Sequence, residues 1–129
     1  ASFGFSPAVR ADGVTPAADP HLPQPLWFKD YAVDVEQADP DSMYTLYHAA
    51  LAIRQESLTA TRDTTAEQVG MGDDVVAYTR AAVGGRVFTS ITNFGNAPIA
   101  LPDGSVVLAS GPLTPEGQLP TDTSAWVVQ

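Results

Sequence analysis

The chain contains no cysteine and very few basic residues. Its 129 residues can therefore form neither disulfide bonds nor thiolate metal sites, so the sequence permits a reducing compartment without requiring one. The 6 lysines and arginines stand against 15 aspartates and glutamates, for a net charge of −9, and they form no basic run. A nucleic acid is consequently not an expected partner.

Long hydrophobic runs are also absent. No stretch approaches the ~20 consecutive apolar residues that span a membrane, and residues 1–13 contain no apolar leader. We therefore expect no membrane partner and a cytoplasmic location. Apolar residues nonetheless make up 44% of the chain and charged residues 16%, which predicts a folded domain. The chain opens on Ala1 rather than Met, in residues typical of a loop interior, so we expect a piece of a longer polypeptide.

Motifs that bind phosphate, zinc or a catalytic serine are missing from the sequence. It holds no glycine-rich phosphate loop, no His-Glu-x-x-His and no Gly-x-Ser-x-Gly elbow. His21 and His48 are single histidines, which are structural more often than catalytic. Two acidic pairs are explained by helix capping and by a turn rather than by Ca²⁺ binding; they are Asp39 with Asp41 and Asp73 with Asp74. We predict no catalytic residue, no metal ligand and no cofactor in this chain.

One amphipathic helix is predicted over residues 40–56. Asp39 is suited to cap it, Pro40 to occupy its first position, and Asp41 to face the positive end of its dipole. Apolar residues then recur at spacings of three and four and define one buried face: Met43, Leu46, Tyr47, Ala50 and Ile53. That face packs either on the chain's own sheet or on a larger body outside the chain.

A long loop precedes this helix. Five prolines interrupt both helical and strand periodicity in residues 1–25, yet the segment carries large apolar groups that a solvated linker would not. A short helical turn is predicted over residues 26–31, while residues 32–36 are ambiguous. Aromatic residues of this region are candidates to stack on sugar rings; they are Phe5, Trp27 and Phe28. Trp126, in an apolar strand near the C-terminus, is instead assigned to the core.

The remainder of the sequence, after residue 56, predicts strands. Six short segments rich in β-branched residues cover 66–71, 75–82, 86–93, 99–101, 106–109 and 125–128. Gly84-Gly85 predicts a two-residue hairpin, and Pro102-Asp103-Gly104 predicts a second tight reversal. Short strands with regular turns indicate an antiparallel sandwich or Greek-key sheet, so the predicted fold class is α+β.

Short motifs follow one another along the whole chain. The first half contains Gly4-Phe5-Ser6, Leu22-Pro23-Gln24-Pro25, Trp27, Asp41-Ser42, Leu46-Tyr47 and Ile53-Arg54. The second half contains Val76-Ala77-Tyr78-Thr79-Arg80, Thr92-Asn93-Phe94-Gly95 and Leu119-Pro120-Thr121-Asp122. In order and spacing these motifs resemble the C-terminal portion of bacterial α-glucosidases of glycoside hydrolase family 13, of the oligo-1,6-glucosidase type. His21 departs from that pattern, since a Trp commonly precedes the Leu-Pro-Gln-Pro run.

The resemblance implies a two-part organisation. Residues 1–57 would be the final loop and eighth helix of a (β/α)8 catalytic barrel, and residues 58–129 an antiparallel, Greek-key-like β-domain. The loop would border the substrate cleft, with Phe5, Trp27 and Phe28 at its rim. The family's retaining mechanism uses two carboxylates, which lie upstream of the matching part. We therefore expect the isolated chain to be inactive, its partners being the missing barrel and, through the parent enzyme, an oligosaccharide substrate.

A free-standing β-sandwich that binds carbohydrate or another macromolecule is the alternative. Its helix face and loop would then lack a body to bury against and would leave an exposed apolar patch. The fragment interpretation makes a related prediction, because a piece separated from its barrel should self-associate through the same apolar surface.

Overall fold

The computed structural model describes residues 25–59 and 65–129, apart from the side chains of Leu26 and Lys29. A 3₁₀ helix covers Leu26–Tyr31, and two α-helices follow, α1 at Val33–Ala38 and α2 at Met43–Leu58. Five strands complete the chain: β1 Glu67–Val69, β2 Val75–Ala81, β3 Val87–Asn93, β4 Ser105–Ala109 and β5 Thr123–Val128. The described helices include none that is long and apolar enough to cross a membrane. The chain divides into two compact units, Ala1–His48 and Ala49–Gln129.

The five strands form one antiparallel sheet in the order β1-β2-β3-β5-β4. Strand β5 lies between β3 and β4, so the chain crosses over as a Greek key does. The predicted α+β class with an antiparallel sheet is thus confirmed. The second sheet of a sandwich is not observed, because residues 65–129 contain no other layer of strands. The predicted strand at 99–101 is reduced to a single bridge between Ile99 and Leu119.

The hairpin between β2 and β3 contains one residue more than predicted. Ala82 N–H donates to the Arg86 carbonyl at 2.8 Å, which leaves Val83, Gly84 and Gly85 as a three-residue loop. Both glycines take positive φ, 78° and 75°, as the sequence requires. The carbonyl of Val83 accepts instead from Nε of Arg86 at 3.0 Å. The predicted two-residue turn is therefore wrong, because Val83 belongs to the loop and does not pair with β3.

The reversal at Pro102-Asp103-Gly104 depends on its glycine. Gly104 has a φ of +134°, and a Cβ there would lie 2.8 Å from both Cγ1 of Val127 and the carbonyl oxygen of Val128. Only glycine satisfies the backbone conformation and the space together. Strand β4 can therefore begin directly against β5.

One face of the sheet carries the main hydrophobic core. Alternate residues of the central strands point to this inner face, as the period of two requires. Ile91 on β3 lies between Ala77 on β2 and Ala125 on β5 in the register. These residues are buried together with Val75, Leu119 and Val127.

The opposite face of the sheet is covered by the C-terminal half of α2. Ile53 and Leu58 pack there against a cluster built around Phe88, and the ring of Trp126 meets that of Phe88 edge-on, at 5.3 Å between centroids and 62° between planes. We call this side the helix-covered face. The core assignment of Trp126 is supported, since the half-buried ring belongs to this packing.

The start of α2 differs from the prediction. The helix begins at Met43, and its cap is Ser42, whose Oγ accepts from the backbone N–H of Thr45 at 3.1 Å. Asp39, the predicted cap, instead accepts from the N–H of Asp41 at 2.9 Å and holds a turn before the helix. The Asp-Pro-Asp segment therefore precedes the helix, because the Asp39 carboxylate is engaged within its own turn.

The predicted buried face of α2 is only partly buried. Ile53, Ala50 and Leu46 are half-buried, whereas Met43 is 58% and Tyr47 is 64% exposed. Burial within this chain is thus partial, and the prediction that a larger body covers the rest of the face stays a prediction. Within Ala49–Gln129, the α2 residues that pack on the sheet include Ile53 and Leu58.

A single buried amide joins three segments at one end of the sheet. Asn93, the last residue of β3, is fully buried. Its Nδ2 donates to the carbonyls of Ala97 at 2.9 Å, Leu119 at 3.1 Å and Pro120 at 3.1 Å. Its Oδ1 accepts from the N–H of Gly95 at 2.9 Å. Every polar atom of the side chain is thus paired with backbone, as burial demands.

We expect Asn93→Ala to lower the free energy of unfolding by about 3 kcal/mol or more, because several buried backbone groups lose their partner at once. Asn96→Ala is the matched control: Asn96 occupies the same turn but is exposed, so the change should stay within about 0.5 kcal/mol. Urea denaturation of both variants measures the difference. Equal stabilities for the two variants would contradict the role given to Asn93.

Candidate functional site

Three aromatic rings cluster on the 3₁₀ helix of the first unit. The ring of Trp27 lies edge-on to that of Phe28, with 4.7 Å between centroids and 78° between planes. It also lies edge-on to Tyr31, at 5.7 Å and 80°. Trp27 is 56% exposed and Tyr31 is exposed as well, while Phe28 is half-buried. The cluster therefore presents the rings of Trp27 and Tyr31 to solvent, while the half-buried ring of Phe28 packs against Trp27.

The local sequence explains how this cluster forms. Pro25 precedes the helix, and its carbonyl accepts from the N–H of Phe28 at 3.2 Å, which closes the first turn. A 3₁₀ helix aligns residues three apart, so the spacing of four does not by itself place Tyr31 beside Trp27. The two rings meet edge-on nonetheless.

A groove of about 580 Å³ lies in the same unit, beside Tyr31. Four of its eight lining residues are acidic: Asp30, Glu36, Asp39 and Asp41. Retaining glycoside hydrolysis needs two carboxyl groups about 5–5.5 Å apart on either side of the scissile bond. Asp39 is already engaged in its turn, and no group of three or more His, Asp or Glu side chains in the described residues is arranged to hold a metal ion. We assign this groove no chemistry.

Two of the three aromatic residues predicted for the cleft rim lie among the described residues, and they are in contact. Trp27 and Phe28 meet as ring neighbours, whereas Phe5 lies outside the described residues. Tyr31 was not predicted as a site residue, although its spacing of four from Trp27 is visible in the sequence. His48 is exposed, and its ring stacks on Tyr44 at 6.2 Å and 16°. The contact of His48 with Tyr44 is one between two residues of the same helix.

No protein-family model matches the sequence, and no curated protein matches it either. Solved structures do resemble the fold. The trehalulose synthase from Pseudomonas mesoacidophila MX-45 is 24% identical, with a TM-score of 0.65, over 93% of this chain and 24% of that enzyme. The isomaltulose synthase from Protaminobacter rubrum is 19% identical, with a TM-score of 0.68, over 98% of this chain and 24% of that enzyme. A trehalulose synthase variant in complex with Tris gives 23% identity and a TM-score of 0.69 over 98% of this chain and 25% of the other.

These similarities establish the fold. The two helices and the five-stranded antiparallel sheet match a part of these trehalulose and isomaltulose synthases. The chain spans about a quarter of the length of the enzymes it resembles.

Proposed function

We propose that this chain is the C-terminal part of a retaining α-glucosidase that acts on short oligosaccharides or disaccharides. In this proposal the chain supplies the end of the substrate-side loop, the last barrel helix and the β-domain, while the missing barrel supplies the nucleophile and the general acid/base. The proposal rests on the fold similarity to sugar-converting enzymes, which covers nearly the whole of this chain and about one quarter of the length of each enzyme. The motif order in the sequence supports the same assignment.

The exposed apolar side chains of α2 support the existence of a larger body. Met43, Tyr47 and Leu51 recur every fourth residue, and each is more than half exposed. A helix of a complete globular domain normally buries such side chains, since each contributes about 1.5–3 kcal/mol on burial. In the proposal, the parent's barrel covers them.

We expect the native polypeptide to be several times heavier than the 13.5 kDa of this chain, because a family 13 barrel precedes it in the proposal. Antibodies raised against residues 65–129 and used on an extract of the source cells measure that mass. The purified 129-residue chain should release no glucose from maltose, isomaltose or sucrose. A native product of about this chain's size, as the free-standing module requires, or turnover abolished by a substitution within it, would overturn the proposal.

We expect the purified chain to self-associate, and Tyr47→Lys to weaken this association by about tenfold, since a charge replaces an exposed apolar ring. The free energy of unfolding should change by less than about 0.5 kcal/mol, because Tyr47 is exposed. Sedimentation over a range of concentrations measures the association. Gln55→Lys adds the same charge at an exposed polar position of α2 and should have no effect. A chain that stays monomeric throughout would show that this helix surface is not adhesive.

We propose the aromatic cluster as part of the substrate-cleft rim, to which the sequence also assigns Phe5. In the parent enzyme, Trp27→Ala should raise the KM for maltose by about tenfold while kcat changes little, because a rim contact stabilises ground state and transition state alike. Phe94→Ala removes an equally exposed ring from the β-domain and should leave KM unchanged. Steady-state kinetics of both variants test the assignment, and equal effects would refute it.

A further inference from the structure

The reversal before β4 joins an aspartate to a glycine at the surface of the β-domain. Asp103 and Gly104 are both exposed, and β4 begins at the next residue. The sequence contains one other Asp-Gly pair, Asp12-Gly13, which lies outside the described residues. The peptide bond between Asp103 and Gly104 is therefore accessible to solvent, and its surroundings are known.

An aspartate followed by glycine has an internal reaction open to it. The backbone nitrogen of the following residue can reach the side-chain carboxyl carbon and close a five-membered ring. A side chain on that following residue hinders the approach, whereas glycine has none. Each of the other described aspartates precedes a residue that carries a side chain, and Asp39 precedes Pro40, whose nitrogen has no hydrogen to lose.

The fold requires the glycine that makes this reaction possible. Gly104 has a φ of +134°, and a Cβ at this position would lie 2.8 Å from the carbonyl oxygen of Val128. A larger residue, which would shield the nitrogen, has no space in the reversal. The constraint that lets β4 begin against β5 thus also leaves the Gly104 nitrogen unshielded by a side chain.

Hydrogen bonds at this peptide bond favour the reaction. Within residues 65–129 no hydrogen bond engages the N–H of Gly104, so the nitrogen need not leave a partner before it attacks. The carbonyl oxygen of Asp103 accepts from Nε2 of Gln129. A donor at the carbonyl oxygen polarises the peptide bond and makes its N–H more acidic, which increases the share of the attacking, deprotonated nitrogen.

We propose that Asp103 is a site of spontaneous conversion to isoaspartate. The Gly104 nitrogen attacks Cγ of the protonated Asp103 carboxyl group. A bond forms between nitrogen and Cγ, the bond from Cγ to the hydroxyl oxygen breaks, and the hydroxyl leaves with the nitrogen's proton as water. The product is a cyclic imide, a succinimide.

Water then opens the ring. It adds to the backbone carbonyl carbon of Asp103, and the bond from that carbon to the Gly104 nitrogen breaks. The nitrogen takes up a proton, so the peptide link now runs through Cγ and the former backbone carbonyl becomes a free carboxylate. One water is lost and one is gained, so the mass is unchanged and nothing is oxidised or reduced.

The altered link should loosen β4. The backbone becomes one carbon longer immediately before a strand whose first residue, Ser105, lies opposite Val128. The reversal is already packed against β5, and β4 is a terminal strand in the order of the sheet. We expect the isoaspartate form to unfold at a lower urea concentration than the original chain. This site does not depend on the proposed α-glucosidase function.

Incubation of the purified chain for several weeks at physiological temperature tests the proposal, with the same chain in urea as the unfolded reference. A protease that cuts before aspartate but not before isoaspartate, followed by mass spectrometry, resolves Asp103 from Asp12. We expect isoaspartate to accumulate at Asp103 in the folded chain at a rate within about tenfold of that in urea, since the exposed turn does not have to open first.

Substitutions identify the reacting groups. Asp103→Glu keeps the charge but would need a six-membered ring, so the product at this position should be lost, whereas the matched control Asp73→Glu, in another exposed turn, should leave it unchanged. Asp103→Asn should react faster, because ammonia leaves the side chain more easily than water. Gln129→Ala should slow the reaction by about threefold, the effect of one hydrogen bond.

Three results would overturn the proposal. The first is a rate in the folded chain more than about tenfold below that in urea, which would mean that the turn protects Asp103. The second is conversion of Asp73 as fast as that of Asp103. The third is an Asp103→Asn variant that reacts no faster than the original chain. An unchanged rate in Gln129→Ala would overturn the role given to Gln129.

Discussion

The arrangement of the β-domain depends on the carboxamide of Asn93. The Asn93 side chain donates to three carbonyls and accepts from one N–H, whereas the hydroxyl of a serine or threonine has a single hydrogen to donate. The backbone carbonyl of Asn93 also accepts from Asp122, one residue before β5 begins opposite Asn93. One amide thus ties the end of β3 to the segment that leads into β5.

The two faces of the resulting sheet are covered to different extents. Small residues such as Ala77 and Ala125 let the inner face pack closely around Ile91 and Leu119. The helix-covered face has larger rings, and α2 covers only part of them. Incomplete cover is what leaves a groove between helix and strands. The register that builds the core thus also places Tyr78, Ser90 and Trp126 in one row.

Local chemistry allowed much of this fold to be predicted, and competition between local choices explains the errors. The strands and their antiparallel pairing follow from β-branched segments separated by glycine turns. The cap of α2 was predicted wrongly, because Asp39 and Ser42 are both good caps and only the contact of Ser42 with Thr45 decides between them. The row across Tyr78, Ser90 and Trp126 could not be predicted, since it depends on the pairing of β3 with β5, two strands that β4 separates in the sequence. The contact of Trp27 with Tyr31 could not be predicted from spacing either, since a 3₁₀ helix aligns residues three apart and these are four apart.

The two exposed features outside the core call for different partners, for reasons of shape and charge. Side chains on the outer surface of α2 project from a convex surface and are uncharged, so only a large complementary body can remove Met43 and Tyr47 from water. The groove between the end of α2 and the sheet is concave and small, which suits a ligand that enters it. In the proposal, α2 therefore meets a large partner, and the groove leaves no room for one.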